Sequence, residues 1–130
     1  AAQGYKNVLG LAVGTGIGGG IIVDGKLVSG EHGAGGEVGH IKIEPNGKLC
    51  GCGQKGCWEA YASATGIIRE ANSRLAVNKQ NLLYEMTKGR DLEAKDVFDA
   101  AKKGDEFSLD IVDYEAEKYT ADGLLDVIFK

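Results

Sequence analysis

The sequence lacks the features that would place the chain in a membrane, outside the cell or on nucleic acid. No apolar run approaches the roughly 20 residues that a membrane-spanning helix requires. The first ten residues do not have the charged and apolar layout of a signal peptide, so we expect a cytoplasmic protein. Residues 1–58 carry five lysines against four acids, and residues 59–130 carry ten basic residues against fifteen acids. Neither half offers a basic face that would gather phosphates, which argues against DNA or RNA as a partner of this segment.

Proline is nearly absent and glycine is abundant. Pro45 is the single proline, whereas 17 of the 21 glycines precede Trp58. Glycine permits positive φ and a close approach of the backbone to a ligand. The length of 130 residues suffices for one domain, and the hydrophobic content of 43% is ordinary for a globular protein. We expect one partial domain over residues 1–130, and the uneven distribution of glycine divides it into two parts. Residues 1–57 would form strands and ligand loops, and residues 58–130 would be mainly helical.

The first part shows short apolar or alternating runs separated by glycine-rich segments. This pattern predicts a tight hairpin turn at Asp24-Gly25. It predicts strands over 7–13, 20–23, 26–29 and 38–44, and loops over 30–39 and 45–57.

From Trp58 onward the apolar spacing becomes helical. Ser63 is predicted to cap a helix that runs to about Ala76. Its inner face would carry Ile67, Ile68, Ala71 and Leu75. The later pattern predicts a helical turn over 82–86, a helix over 94–103 that Gly104 ends, and one long helix over 105–129. The long helix has no stop signal, so we expect the chain to be a piece of a larger fold.

A glycine loop follows the first predicted strand. Gly14, Gly16 and Gly19 satisfy the G-x-G-x-x-G pattern of dinucleotide-binding proteins. That pattern requires a helix directly after the loop, whereas a strand is predicted here, so this interpretation fails. Exposed amide groups and the Thr15 hydroxyl could instead form a concave anion site. The alternative is a simple tight turn, but a turn needs fewer glycines, and we favour phosphate binding.

The most specific feature is a cluster of metal-ligating residues. His40, Cys50, Cys52 and Cys57 fall within 18 residues, and three cysteines with one histidine are an accepted ligand set for structural zinc. The alternatives are disulfides or inert buried thiols. An odd cysteine count, C-x-C spacing and a cytoplasmic setting disfavour disulfides. We therefore predict a zinc site, with His40 reaching in from the end of the adjoining strand.

Two acids flank this cluster. Glu37 precedes His40, and Glu59 follows Cys57. If the loop folds back on the ion, both carboxylates come near it and could accept hydrogen bonds from sugar hydroxyls; the alternative is that both are solvated surface acids. His40 could use one ring nitrogen for zinc and the other for a ligand oxygen.

These motifs resemble those of the ROK (repressor, ORF, kinase) family, and within it the glucokinases. The resemblance is carried by L-x-V-G-T-G-I-G-G-G, then G-E-V-G-H, then C-G-C-G-Q-K-G-C-W-E. It implies an α/β fold that is part of an actin-like (ribonuclease H-like) kinase domain, with a mixed sheet containing a β-hairpin followed by helices. It also implies a two-domain enzyme that transfers phosphate from Mg-ATP to a hexose, typically glucose to glucose 6-phosphate.

The resemblance also assigns roles to residues. Gly14, Thr15 and Gly16 would contact ATP phosphates, and Glu37, His40 and Glu59 would bind sugar hydroxyls. A structural zinc ion would be held by His40, Cys50, Cys52 and Cys57. The resemblance places the catalytic aspartate and the N-terminal lobe upstream of Ala1, so we expect the isolated fragment to be inactive.

Other functions remain open at this point. The parent could be a ROK-family transcriptional repressor in which this segment senses sugar, or the segment could be a free-standing zinc module for protein contacts. Kinases for glucose, mannose, fructose, allose and N-acetylmannosamine share the motifs, so the hexose is undetermined. Family members commonly form dimers or tetramers, and we expect a homo-oligomeric parent.

Overall fold

The computed structural model describes residues 2–119 and has an α/β architecture, as predicted. A three-stranded sheet of order β1-β2-β3 comes first and five helices follow. The strands are β1 (Val8–Val13), β2 (Ile17–Val23) and β3 (Lys26–Leu27). The helices are α1 (Glu59–Ala62), α2 (Ala64–Leu75), α3 (Leu82–Thr87), α4 (Ala94–Lys102) and α5 (Glu106–Tyr119).

The sheet is built from one hairpin and a short return strand. Asp24 and Gly25 have φ values of 51° and 76°, as a two-residue hairpin turn requires, and the Asp24 amide donates to Asn7 Oδ1 at 2.8 Å. The predicted turn is confirmed. β2 starts three residues earlier than predicted, and β3 has only two residues. All pairing within residues 2–119 is antiparallel, so a parallel part of the expected mixed sheet is not among these residues.

The strand predicted over 38–44 is wrong. Residues Val38–His40 form a 3-10 helix instead. This helix packs so closely on β2 that a side chain at Gly39 would collide with the Ile17 carbonyl oxygen. The following extended residues pair with the end of the cysteine-containing loop, where the Ile43 amide donates to Gly56 O at 2.9 Å and the Trp58 amide donates to Ile41 O at 2.8 Å. His40 is therefore presented by a short helix rather than by the end of a strand.

The helical predictions agree well with the structure. Ser63 Oγ accepts the Gly66 amide at 3.1 Å and caps α2, while the four-residue α1 before it was not predicted. α3 and α4 lie where helical segments were expected. α5 confirms the long helix as far as Tyr119, and residues 120–129 of that prediction lie outside the described residues. No helix within residues 2–119 is long and apolar enough to cross a membrane.

The core divides into a large helical cluster and smaller clusters around the cysteine loop. The helical cluster contains Ile67, Ala71, Leu75, Leu83, Leu92, Val97, Ala100 and Ile111. A second cluster joins Cys50 and Cys57 to Ala60 and Tyr61, and a third joins Ile17, Trp58 and Ala62. These smaller clusters connect the sheet to the helices at the position where the candidate site lies.

Candidate metal and ligand site

The cysteine loop, residues 48–57, is a closed hairpin. Its backbone is tied by the Cys50 amide donating to Gln54 O at 2.8 Å and by the Gly56 amide donating to Lys48 O at 2.9 Å. Gly53 and Gly56 have φ values of 85° and 80°, which favour glycine because side chains rarely tolerate that conformation. The glycines thus allow the loop to turn sharply and bring its three cysteines together.

The loop and the short helix before it assemble the predicted ligand set. The ligand atoms of His40, Cys50, Cys52 and Cys57 all lie within 4.8 Å of one another. His40 Nδ1 is 3.7 Å from Cys50 Sγ, and Cys52 Sγ is 3.7 Å from Cys57 Sγ. Tetrahedral zinc sites with ordinary bond lengths place their ligand atoms roughly 3.3–3.8 Å apart. The two 3.7 Å separations match such a site, the remaining ones are at most 4.8 Å, and all three cysteines are free thiols.

The pKa values of two of the thiols are shifted in opposite directions. Burial raises the pKa of the Cys57 thiol to about 12, and its neighbours Cys52 and Cys50 add to the increase. The pKa of the exposed Cys52 thiol is instead lowered, mainly by a hydrogen bond with the Gln54 backbone. Only thiolates bind metal ions. A bound cation would thus stabilise the thiolate form of Cys57, and metal binding would release the thiol proton.

The His40 imidazole lies between the sulfur atoms and Glu37. Nδ1 faces Cys50, while Nε2 lies 3.6 Å from Glu37 Oε2. The His40 side chain is 32% exposed and that of Glu37 is 61% exposed. One ring nitrogen is thus available to an ion and the other to a ligand in solvent, with an accessible carboxylate beside it.

Glu59 lies on another side of the cluster, at the start of α1. Its Oε2 accepts the Ile17 amide at 2.8 Å, and its Oε1 is 3.9 Å from Cys50 Sγ. A side chain at Gly16 would meet the same carboxylate, which would then have to move away from the Ile17 amide. Glu59 therefore connects the glycine loop to the cysteine loop, while Glu37 lies beside His40.

The glycine loop between β1 and β2 directs its carbonyl groups toward α2. Gly14 O accepts the Ala64 amide at 2.9 Å, and Thr15 O accepts the Thr65 hydroxyl at 2.8 Å. No described hydrogen bond uses the amides of Thr15 or Gly16 as donors, and Thr15 is exposed. These amides and the Thr15 hydroxyl are therefore available to an anion, whereas the first turn of α2 is already occupied by the loop.

A cavity of about 230 Å³ separates the two loops. Its lining includes Thr15, Gly16, Cys50, Glu59, Thr65 and Arg69, and the Arg69 guanidinium donates to Leu49 O. Sequence reasoning missed Arg69. Helical spacing could have identified it, because Arg69 lies four residues after Thr65, on the face of α2 away from the buried Ile67 and Ala71. A larger cavity of about 470 Å³ lies at the other end of α2, beside Tyr84, and none of the predicted site residues lines it.

Comparisons with known proteins identify the family of the chain. The ROK family model matches residues 1–129. The glucokinase of Thermotoga maritima is 43% identical over 114 residues, which cover 87% of this chain and 36% of that protein. An N-acetylmannosamine kinase of Citrobacter koseri is 34% identical over 116 residues, which cover 89% of this chain and 35% of that protein. The chain thus spans little more than a third of the length of these relatives.

Solved structures show the same fold. A ROK family glucokinase from Streptomyces griseus, in complex with glucose and AMPPNP, superposes with a TM-score of 0.78 at 39% identity, over 97% of this chain and 41% of that one. A ROK family transcriptional regulator, a homologue of the E. coli MLC protein, gives a TM-score of 0.66 at 33% identity, over 85% of this chain and 27% of that one. With its motifs, its fold and the family model in agreement over nearly its whole length, this chain belongs to the ROK family.

Proposed function

We propose that the full-length protein containing this chain is an ATP-dependent hexose kinase, with glucose as the expected substrate and glucose 6-phosphate as the product. In this proposal the chain supplies the sugar-binding and zinc-binding portion. The observation that carries it is the placement of the His40 imidazole, with one nitrogen toward three thiols and the other toward the exposed Glu37. The similarity to kinases named for glucose and N-acetylmannosamine supports a sugar as the ligand.

The proposed zinc ion is structural. His40, Cys50, Cys52 and Cys57 would hold it, and the fit of their spacing to a tetrahedral site supports the assignment. When bound, the ion would fix the cysteine loop and the tautomer of His40, and it would take no part in phosphoryl transfer. His40 could then donate its Nε2 proton to a sugar oxygen.

The proposed sugar contacts come from Glu37, His40 and Glu59. The two carboxylates can each accept hydrogen bonds from paired hydroxyl groups, and hydrogen bonds to charged groups are stronger than those to neutral ones. Glu37 is free to reorient toward a ligand because it is largely exposed. Glu59 is held by the Ile17 amide through Oε2, which leaves Oε1 as its remaining acceptor for a sugar hydroxyl.

The proposed phosphate contacts are Gly14, Thr15 and Gly16, which would bind Mg-ATP. Phosphoryl transfer depends mainly on positioning and on stabilisation of charge, and the amides of Thr15 and Gly16 are available for that role. The catalytic aspartate that family resemblance implies belongs to another part of the full-length protein. A cytoplasmic location and a homo-oligomeric state belong to the same proposal, and light scattering on the purified protein tests the latter.

The test is steady-state kinetics of the full-length protein. We expect Glu37→Gln to raise the KM for glucose by about 10- to 100-fold, since it removes a charged hydrogen bond of about 1.5–3 kcal/mol. The matched control is Glu31→Gln, which changes an exposed acid outside the site and should leave KM unchanged. No glucose-dependent consumption of ATP by the wild type, or an unchanged KM in E37Q, would contradict the proposal.

A second candidate is the sugar-sensing domain of a ROK-family repressor. The match to a ROK family transcriptional regulator, at 33% identity, favours this possibility. The repressor would bind DNA in a sugar-dependent manner through another part of the full-length protein and would consume no ATP. An electrophoretic mobility shift with and without glucose, set beside the kinase assay, distinguishes the two.

A further inference from the structure

Lys48, at the start of the cysteine loop, has an unusually constrained side chain. Its Nζ lies 2.6 Å from Glu70 Oε2 on α2. The same nitrogen is 4.9 Å from the ring centroids of both Tyr61 on α1 and Tyr114 on α5. The Lys48 side chain is only 22% exposed. One cation therefore joins the loop to three helices.

The backbone of Lys48 is fixed as well. Its amide donates to Tyr61 Oη at 2.7 Å, and Tyr61 is fully buried. A side chain at the preceding Gly47 would collide with that phenolic oxygen. Tyr61 thus contacts Lys48 twice, with its hydroxyl group on the backbone amide and with its ring near Nζ. Lys48 lies two residues before Cys50.

Lys118 on α5 makes a second set of contacts around the same rings. Its Nζ is 3.2 Å from Glu44 Oε2 and 5.5 Å from the ring centroids of both Tyr61 and Tyr114. Its carbonyl accepts the Trp58 indole N–H at 3.0 Å. Glu44 precedes the cysteine loop and Trp58 follows it, so α5 contacts the chain on both sides of the loop.

We propose that Lys48 is a positioning residue for the metal site. It holds residues 44–49 against α1, α2 and α5, so that Cys50 already lies beside His40 before an ion arrives. Preorganisation of this kind strengthens binding because less conformational freedom is lost on association. The inference rests on the proposed function, since that proposal assigns zinc to the four ligands.

The structure permits a clean perturbation of this contact. Glu70 also pairs with Arg74, whose Nε is 2.7 Å from Glu70 Oε1. Replacement of Lys48 by methionine therefore leaves the carboxylate with a partner. Methionine keeps an unbranched side chain beside the two rings and removes the ammonium group, with its charge and its hydrogen bond to Glu70.

The experiment measures zinc affinity of the full-length protein by competition with a chromogenic chelator. We expect Lys48→Met to weaken zinc binding about tenfold, equivalent to about 1.4 kcal/mol, and Lys48→Arg, which retains the charge, to stay within about threefold. Lys55→Met is the matched control, because Lys55 is an exposed lysine of the same loop, and it should bind zinc as the wild type does. If K48M does not fold, Tyr114→Leu removes one of the two rings and carries the same expectation.

A second control separates positioning from a general loss of stability. Val97→Ala destabilises the helical cluster, which excludes the cysteine loop, and should lower the melting temperature without a change in zinc affinity. In the kinase assay, K48M should raise the KM for hexose with little change in kcat when zinc is limiting, and excess zinc should restore it.

The outcomes distinguish the two proposals. A wild type that holds no zinc contradicts the proposed function itself. A wild type that binds zinc while K48M binds it equally well overturns only the role of Lys48. Equal weakening of zinc binding by K48M and V97A would also overturn that role, because the effect would then be general instability.

Discussion

The two halves of the molecule are stabilised in different ways. In the helical half, Leu83, Val97, Ala100 and Ile111 are fully buried by one another and by neighbouring helices. In the sheet, Ile17 is the one buried residue among the described strand positions. Apolar side chains of β1 on the face of Ile17 remain about half exposed, with values of 54% for Leu9, 46% for Leu11 and 50% for Val13. The helical half therefore has its own core, whereas the glycine-rich half depends on backbone pairing and on the smaller core clusters around the cysteine loop.

Loss of the proposed zinc ion should affect the two halves most differently. Cys57 is the most buried of the proposed ligands, and we expect Cys57→Ser to weaken zinc binding on the order of 100-fold or more, since binding energy of a structural ion is also folding energy. Amide hydrogen exchange should then accelerate in residues 38–58, while α3 and α4 keep their protection. The two helices act as the internal control, and equal loss of protection in both regions would show that the halves do not differ as described.

The next effect concerns a buried carboxyl group in α5. Glu115 is 3% exposed, neither of its oxygens has a hydrogen-bond partner within residues 2–119, and burial raises its pKa from 4.5 to about 7 against the influence of Lys48. Below the pKa of the unfolded state, Glu115 is protonated in both the folded and the unfolded protein, so its favourable contribution to the free energy of unfolding is fully present there. It is lost as the pH rises toward 7, because only the unfolded state then releases the proton readily.

Glu115→Gln should remove this pH dependence. Raising the pH from 4 to 8 should lower the free energy of unfolding of the wild type by about 3 kcal/mol more than that of the variant. This value follows from the pKa shift of Glu115, at about 1.4 kcal/mol per pKa unit. Urea denaturation of both proteins at the two pH values measures the difference. A constant difference between the proteins would show that Glu115 titrates normally in the folded state.

Truncation in the helical cluster should give a smaller loss. Val97→Ala removes two buried methyl groups from α4, and we expect the free energy of unfolding to fall by about 2 kcal/mol. Chemical denaturation followed by circular dichroism measures it. Val77→Ala is the matched control, because Val77 is 90% exposed and should be nearly neutral. Similar losses in both variants would contradict the description of a closed helical core.

The smallest effect should come from the exposed strip of β1. Leu11→Thr keeps a strand-forming residue at a position that is half exposed, so we expect a change within about 0.5 kcal/mol in the 130-residue chain. The same denaturation assay checks this value. A loss comparable with that of V97A would mean that β1 is covered within this chain and would remove the contrast between the two halves.

Much of the fold follows from local signals. The Asp24-Gly25 turn, the Ser63 cap and the apolar spacing of α2 each depend on neighbouring residues, and the structure agrees with all three. The strand predicted over 38–44 failed because alternation of Ile41 and Ile43 could not reveal that Gly39 packs on the Ile17 carbonyl. That contact joins residues more than 20 positions apart, and no local pattern encodes it.

The candidate site shows the same division. Residue types and spacing alone were enough to select His40, Cys50, Cys52 and Cys57 as a ligand set, because few other arrangements of three cysteines and a histidine are as compact. The contacts of Lys48 with Tyr61 and Tyr114, the cavity beside Arg69 and the anchoring of Glu59 by the Ile17 amide arise only when distant segments meet. A candidate ligand set can be recognised from the sequence because cysteine and histidine are rare and, here, close together along the chain. The orientation of these side chains depends on packing among helices and loops that are distant along the chain.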